Sequence, residues 1–201
     1  VEGEYELRLP RTPLRVDAPP PVSVINVEEA IVQGTVGASA RVRIGTINAT
    51  VTGTTFTANV PLHDGRNDVN VDVFAPGGAP ARAPLVIYRN VTPEAYLAMS
   101  GGSRGPAALA ANPPAVGARL RVNAQVIGTI NAAGPEGPTF QVVVSDRACP
   151  NNRCPAWVNV GPNVAVSDRD NVEIVGEVTG ARAYATQSGE RRSDPVIQGL
   201  F

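Results

Sequence analysis

Apolar and polar residues alternate with a period of two along most of the chain. The alternation runs from Val22 to Tyr88 and begins again at Ala118. Because successive side chains of a β-strand point to opposite faces, this pattern predicts strands with one buried face. Seven short strands separated by Gly- and Asp-containing turns are typical of a β-sandwich. The candidate strands of the first stretch are Val22–Val27, Ala30–Val36, Ala40–Ile44, Ile47–Thr52, Thr55–Leu62, Asp68–Phe74 and Ala83–Tyr88.

The second stretch predicts five further strands, of which the first is long and clearly alternating. Five strands with a central hairpin fit a small Greek-key barrel. The candidate strands are Ala118–Ile127, Thr139–Ser145, Ala156–Val160, Asn171–Val178 and Asp194–Phe201.

The pattern therefore predicts an all-β chain of two domains. We expect an extended N-terminal arm over residues 1–21, a sandwich over 22–89, a linker over 90–116 and a barrel over 117–201. A helix start is visible only in the linker, where Thr92 can cap a helix that has Pro93 at its first position. The linker is thus expected to contain one short helix.

Four segments of the first domain form a recognisable series: Val32–Val36, Gly37–Val42, Thr55–Leu62 and Gly65–Val73. This series resembles the glucodextranase-type bacterial Ig-like domains of exported proteins. The resemblance implies an Ig-like sandwich with Phe56, Val60 and Leu62 in its core. Such modules mostly space or present other domains, so the implied role is non-catalytic.

Three segments of the second domain carry a further pattern: Thr139–Asp146, Trp157–Val160 and Asp170–Val178. This pattern resembles the OB-fold domains of bacterial nucleic-acid-binding and exported proteins. The helix that this fold usually has between its third and fourth strands would fall at Gly161–Arg169. Because that segment contains Gly161-Pro162 and has no helical period, we expect the helix to be shortened or missing.

One set of side chains on the barrel has binding character. The first strand would carry arginines on its outer face, and the OB resemblance places the loop between strands four and five beside a ligand groove. Arginines with two exposed aromatic rings could hold a backbone and stack a base or a sugar. The alternative is a surface that faces a protein partner or solvent, because nearby carboxylates offset the charge. The residues are Arg119, Arg121, Asn123, Trp157, Tyr184, Arg191 and Arg192.

The two cysteines, Cys149 and Cys154, are separated by four residues. Zinc sites and thioredoxin-like motifs favour two intervening residues, and the chain has a single histidine, His63. A disulfide is therefore the favoured interpretation, with two reduced thiols as the alternative. A disulfide would indicate an oxidising compartment, the periplasm or the cell exterior.

Composition and charge exclude several classes of function. All 17 basic residues are Arg, and the formal net charge is −1, which argues against a polyanionic partner such as nucleic acid. The sequence lacks a nucleophile elbow, a phosphate-binding loop and a metal-ligand motif, so we expect no enzyme activity, cofactor or metal. It also lacks an apolar run of membrane-spanning length.

These observations lead to two hypotheses from different classes. The first is an exported, non-catalytic accessory or scaffold subunit of a bacterial envelope or membrane-associated complex, whose partners are other proteins. Export requires a signal sequence, and none is visible in this chain, which starts at Val1. The alternative is that the OB face of the barrel binds single-stranded nucleic acid or an oligosaccharide.

Overall fold

The computed structural model describes residues 9–99, 105–130, 139–160, 164–186 and 189–201; for residues 129 and 130 it describes the backbone only. The chain divides into two compact units, Val1–Asn90 and Val91–Phe201. Apart from one short helix and two 3₁₀ turns, the regular elements of the described residues are strands. The predicted all-β class is therefore confirmed.

The first unit is a sandwich of two sheets. A four-stranded sheet has the order β1-β3-β7-β6, and a five-stranded sheet has the order β2-β9-β8-β4-β5. The strands are β1 Leu14–Ala18, β2 Val22–Val24, β3 Glu29–Val36, β4 Arg41–Ile44, β5 Ile47–Asn48, β6 Thr50–Thr52, β7 Thr55–Pro61, β8 Gly65–Phe74 and β9 Ala81–Arg89.

The sandwich core follows the predicted alternation. Val32 of β3, Val71 of β8 and Ile87 of β9 are fully buried between the sheets, and Phe56, Val60 and Leu62 lie in the same core. Gly34 of β3 allows the close approach of β1. A Cβ at this position would overlap the Arg15 carbonyl oxygen and the Phe56 ring, so only glycine fits.

Two predictions for this unit need correction. The predicted strand Ile47–Thr52 is divided into β5 and β6, which pair with β4 and β7 respectively and so belong to different sheets. Part of the predicted extended arm, residues 14–18, is β1 and pairs with β3 at a sheet edge. Residues 1–8 of the arm lie outside the described residues.

The second unit is a closed barrel. Its strand order is β10-β11-β12-β14-β13, closed by β13 against β10, and β12 and β14 are parallel. Inward side chains of every strand fill one core, which includes Leu120, Val142 and Ile197. The strands are β10 Arg119–Ile130, β11 Thr139–Ser145, β12 Arg153–Asn159, β13 Asn171–Ala185 and β14 Arg191–Gly199.

The predicted linker over residues 90–116 is packed structure in its described parts. Helix α1 (Pro93–Ala98) starts at Thr92, whose hydroxyl accepts from the Ala95 amide, and its Tyr96 is fully buried. A 3₁₀ turn at Pro106–Ala108 places Ala108 and Leu109 in the barrel core. The predicted short helix with Thr92 as its cap is therefore present, and the described apolar side chains of this stretch pack on the barrel.

The hairpin of β13 and β14 is longer than predicted. β13 continues to Ala185 and β14 begins at Arg191, and the two pair along this whole length. The strands therefore include Tyr184, Arg191 and Arg192, which we had predicted to lie in a loop.

The helix that the OB resemblance would place at Gly161–Arg169 is absent from residues 164–170, and residues 161–163 are outside the described residues. Within the described part of the chain, no helix has the length and apolar character needed to cross a membrane.

Candidate functional site

Arg119 points away from the barrel core, as the alternation predicts, but helix α1 covers it. The residue is only 4% exposed, and its guanidinium lies 4.7 Å from the centre of the Tyr96 ring. Its Nη1 donates to the Tyr96 carbonyl at 3.3 Å, and its Nε is 3.9 Å from a Glu177 carboxylate oxygen. The Tyr96 hydroxyl donates to the same oxygen at 3.0 Å. The prediction of an accessible Arg119 was therefore wrong.

Arg121, two residues further along β10, is held by two carboxylates. Its Nη2 donates to Glu94 of α1 at 2.8 Å, and its Nε is 3.5 Å from Glu173 of β13. The hydrogen bond from Arg121 holds the pKa of Glu94 below its usual value. The positive charge predicted to meet a phosphate backbone is thus neutralised within the barrel unit.

Trp157 also lies on the outer face of the barrel without being accessible. It is 6% exposed. The guanidinium of Arg182 lies 4.6 Å from the centre of its ring, and Tyr184 packs against it edge-on with ring centres 5.6 Å apart. The prediction of an exposed stacking ring was wrong because the long β13–β14 hairpin covers β12.

Tyr184 is fixed in this cluster by a buried carboxylate. Its hydroxyl donates to Asp194 at 2.7 Å, and Asp194 is 6% exposed. Burial, assisted by this hydrogen bond, raises the pKa of Tyr184 to about 12. The second predicted aromatic ring therefore stabilises the hairpin and is not free to stack on a ligand.

The two hairpin arginines differ in their surroundings. Arg192 donates from Nε and Nη2 to one oxygen of Glu190, at 3.1 and 2.9 Å. Arg191 is exposed and forms no ion pair with any residue that the structure describes. Of the four arginines predicted for a binding surface, Arg191 alone remains uncompensated within the described part of the chain.

Asn123 borders a shallow polar crevice of about 530 Å³ on the outside of the barrel. The crevice lies where β10 meets β11 and β13, and its lining combines amide, hydroxyl and carboxylate groups. Hydrogen-bonding groups of this kind match a hydroxyl-rich ligand. The polar lining residues are Asn123, Gln125, Ser145, Asn171 and Glu173.

The structure brings Cys149 and Cys154 together in a disulfide. Their Cα atoms are 5.2 Å apart, and both residues are buried in the barrel core. The short loop between them turns through Asn151 and Asn152, both of which have positive φ, a conformation that asparagine adopts more readily than most residues. The disulfide therefore joins β12 to the loop after β11.

Sequence reasoning missed the side chains that occupy the predicted binding surface. Glu94, Tyr96, Glu177 and Arg182 come from α1 and β13, and alternation along one strand carries no information about what packs over it. The one available signal is the spacing of Tyr96 and Met99, which puts two apolar side chains on one helix face. Among the described residues, no group of three or more His, Cys, Asp or Glu could hold a metal ion.

Comparison with known proteins adds little to this geometry. No family model matches the sequence, and a search of curated proteins finds no match. One similar solved structure is the SGBP-B protein of the Bacteroides ovatus mixed-linkage glucan utilization locus, in complex with a mixed-linkage heptasaccharide. The similarity covers 89% of this chain and 66% of that chain, with 10% sequence identity and a TM-score of 0.27. At these values the similarity carries no argument about fold or ligand.

Proposed function

We propose that this protein is an exported, non-catalytic accessory or scaffold subunit of a bacterial envelope or membrane-associated complex, with other proteins as its partners. Its β domains act as rigid modules that hold or space neighbouring components. The proposal rests on one observation: side chains that were predicted to bind a ligand form contacts within their own unit instead. Arg119, Arg121 and Trp157 all contact residues of their own unit.

This use of charge argues against a nucleic-acid-binding barrel. Phosphate binding gains affinity from counterions that free Lys and Arg side chains release, and stacking requires an accessible ring face. Here the guanidinium of Arg182 covers Trp157, and carboxylates of Glu94 and Glu173 meet Arg121. A rigid surface for contact with protein is the better match.

The cysteine pair supports the exported part of the proposal. Disulfides persist in oxidising compartments and are rare in the cytosol. The bond between Cys149 and Cys154 joins two segments of the barrel core, so it stabilises the domain itself.

The experiment for this proposal is a pull-down from the envelope fraction of the source cells. Chain carrying a C-terminal tag is compared with the same chain cleaved between its two units, and bound proteins are quantified by mass spectrometry. A scaffold requires both units, so we expect a defined protein partner whose recovery falls when the units are separated. The proposal would be contradicted if the tagged chain recovered nucleic acid in place of protein. It would also be contradicted if the tagged chain enriched no protein from the envelope fraction.

A second candidate function, oligosaccharide binding, is favoured by the polar crevice beside Asn123. Its amide and hydroxyl groups could bind sugar hydroxyls without the need for charge. Calorimetric titration with a panel of neutral oligosaccharides tests it directly. Binding that is lost in Asn123→Ala and kept in Arg191→Ala would support this candidate over the first.

A further inference from the structure

The barrel opens between two of its strands, β12 and β14. These strands are parallel neighbours, but they pair with each other only over Trp157–Asn159 and Val196–Gln198. Before these residues, β12 begins at Arg153 and pairs with β11, and β14 begins at Arg191 and pairs with β13. Each of these first segments is therefore paired on one side, and its other edge faces the neighbouring strand across a gap.

A cleft of about 490 Å³ lies in this gap. It is lined by the first residues of β12 and β14, by residues 109–112 and 114, and by the disulfide loop at Pro150 and Asn151. The cleft is open to solvent, since Asn151, Arg153 and Ser193 are exposed. All of its lining residues belong to the barrel unit and to the described part of the chain.

Two prolines account for the separation of the strands. Pro195 directly precedes the paired residues of β14, and Pro155 lies two residues before those of β12. Both prolines line the cleft. A proline has no N–H group to donate to a neighbouring strand, so a ladder of hydrogen bonds ends where a proline would have to donate. The pairing between β12 and β14 therefore stops at this point.

The hydrogen bonds of β14 show which of its backbone groups face the cleft. At its start, the Glu190 carbonyl accepts from the Thr186 amide at 2.9 Å, and at its end the Leu200 amide donates to a β13 carbonyl at 2.9 Å. In an antiparallel pair, residues that bond to the partner strand alternate with residues that face away from it. The even-numbered residues thus bond to β13, and Arg191 and Ser193 direct their N–H and C=O groups to the cleft.

An unpaired strand edge is a template for a further strand. An extended peptide that lies along such an edge gains main-chain hydrogen bonds, and its side chains provide specificity. The edge before Pro195 consists of four residues, Arg191–Asp194. At a rise of about 3.3 Å per residue it is about 13 Å long, which matches a peptide segment of about four residues.

The charges that line the cleft favour an acidic segment. The charged lining side chains are Arg153, Arg192 and Asp194. Arg192 donates to Glu190, and Asp194 accepts from the Tyr184 hydroxyl. Arg153 is exposed and forms no ion pair with any residue that the structure describes. A carboxylate of a bound segment can therefore pair with Arg153 through a charge-assisted hydrogen bond.

We propose that the cleft between β12 and β14 binds a short extended segment of a protein partner. The segment adds to the free edge of β14 at Arg191 and Ser193, and it places an acidic side chain beside Arg153. The proposal rests on the scaffold function in one respect, that the occupant is a protein partner. The site is separate from the polar crevice beside Asn123.

The first test is an array of capped hexapeptides whose four central residues are drawn from Asp, Lys, Val, Thr and Pro. The full chain, fluorescently labelled, is the probe. We expect it to bind peptides that contain Asp and lack Pro, because proline removes main-chain donors. Exchange of Asp for Lys in a bound peptide should weaken binding at least tenfold. An array without binders, or binders that accept Pro or Lys equally well, would overturn the proposal.

Two pairs of variants locate the bound peptide. Ser193→Pro removes a backbone donor that faces the cleft, whereas Ser193→Ala keeps it. Arg153→Ala removes the cationic side chain of the cleft, whereas Arg41→Ala removes an exposed arginine of the sandwich. We expect the first member of each pair to weaken binding of the best peptide at least tenfold, and the second to leave it within twofold. Equal effects within both pairs would contradict the assigned edge.

Modification of the peptide tests the same bonds without changing the protein, and so it remains decisive if Ser193→Pro does not fold. N-methylation of every second residue removes the donors on one edge of the peptide only. One of the two alternating patterns should abolish binding, and the other should weaken it less. Binding that survives both patterns would show that the peptide does not add to β14 as a strand.

The pull-down from the envelope fraction separates this proposal from the scaffold function. We expect Arg153→Ala to lose the partner that the unmodified chain recovers. Equal recovery by both, still dependent on the two units being joined, would overturn the cleft and leave the scaffold function intact. Peptide binding without any recovered partner would do the reverse. A dimer in analytical ultracentrifugation that Ser193→Pro dissociates would assign the cleft to a second copy of the chain and overturn the stated occupant.

Discussion

Arginine side chains stabilise the barrel by covering aromatic rings. Arg119 lies over Tyr96, and Arg182 lies over Trp157. A guanidinium is planar and weakly hydrated, so it can stack on a ring while its N–H groups bind oxygen atoms at its edge. All basic residues of the chain are Arg, and Arg119 and Arg182 pack their guanidinium groups on aromatic rings.

Replacement of Arg119 by Ala should destabilise the barrel unit. The change leaves the Tyr96 carbonyl without its buried donor and removes the ion pair with Glu177, which costs about 1–3 kcal/mol. Urea unfolding of the full chain measures the change in the free energy of unfolding. Arg191→Ala is the matched control and should stay within about 0.5 kcal/mol of the unmodified chain. If the two variants are equally stable, Arg119 does not hold α1 on the barrel.

Asp72 makes the stability of the sandwich depend on pH. It lies between Arg43 and Arg82 on neighbouring strands, with the Arg82 Nε 2.6 Å from its carboxylate. The hydrogen bond from Arg82 lowers the pKa of Asp72, although burial opposes it. Because the folded pKa is below the unfolded value of about 3.9, the stabilisation is present above pH 3.9 and is lost as the pH falls through the folded pKa.

Asp72→Asn should therefore melt at a lower temperature than the unmodified chain at pH 7. The difference between the two melting temperatures should narrow as the pH falls below about 4, since protonation removes the same charge from the unmodified chain. Calorimetry of both proteins between pH 7 and pH 2.5 measures this difference. A gap that is constant over the whole range would show that the Asp72 charge does not contribute.

At the level of elements, alternation predicted most strands but not what lies over them. The period of two correctly separates core residues such as Val122 from outward residues such as Arg119. It cannot show that α1 and the extended β13–β14 hairpin cover the outer face, because those contacts join residues far apart in sequence. Arg119 and Trp157 do lie on the outer face of the barrel, but both are buried.

The length of the β13–β14 hairpin was also hidden in the sequence. Residues 179–193 are mostly small or polar, so their alternation carries no hydrophobic signal. Pairing continues here because Tyr184 packs on Trp157 and donates to Asp194. These tertiary contacts therefore extend β13 and β14 beyond the part of each strand that packs in the barrel core.

The Cys149–Cys154 disulfide stabilises the barrel by restricting the unfolded chain. By the chain-entropy model, closing a loop as short as Cys149–Cys154 contributes about 2 kcal/mol. We expect the double variant Cys149→Ala/Cys154→Ala to lose at least this amount in urea unfolding. The native chain should be two hydrogens lighter by non-reducing mass spectrometry than after reduction. Free thiols in freshly purified native protein would remove the main support for an exported protein.

At the scale of the whole molecule, each unit has its own core. The sandwich core is built from residues 30–87, and the barrel core from residues 108–197. Separate cores predict that fragments 1–90 and 91–201 each unfold cooperatively when expressed alone. A fragment limited to 117–201 should be less stable than 91–201, since it lacks Tyr96, Ala108 and Leu109. Thermal unfolding followed by circular dichroism tests all three fragments, and failure of 91–201 to fold alone would contradict the division.

The most direct test of the proposed function asks whether the barrel binds single-stranded nucleic acid. We expect that titration of a fluorescently labelled mixed-sequence oligonucleotide at low salt will show no saturable binding below about 100 μM, because Arg119 and Arg121 are paired with carboxylates of the barrel unit. Micromolar binding that weakens with salt and is lost in the double variant Arg121→Ala/Arg191→Ala would contradict the account. The protein would then be a nucleic-acid-binding barrel that carries a sandwich domain.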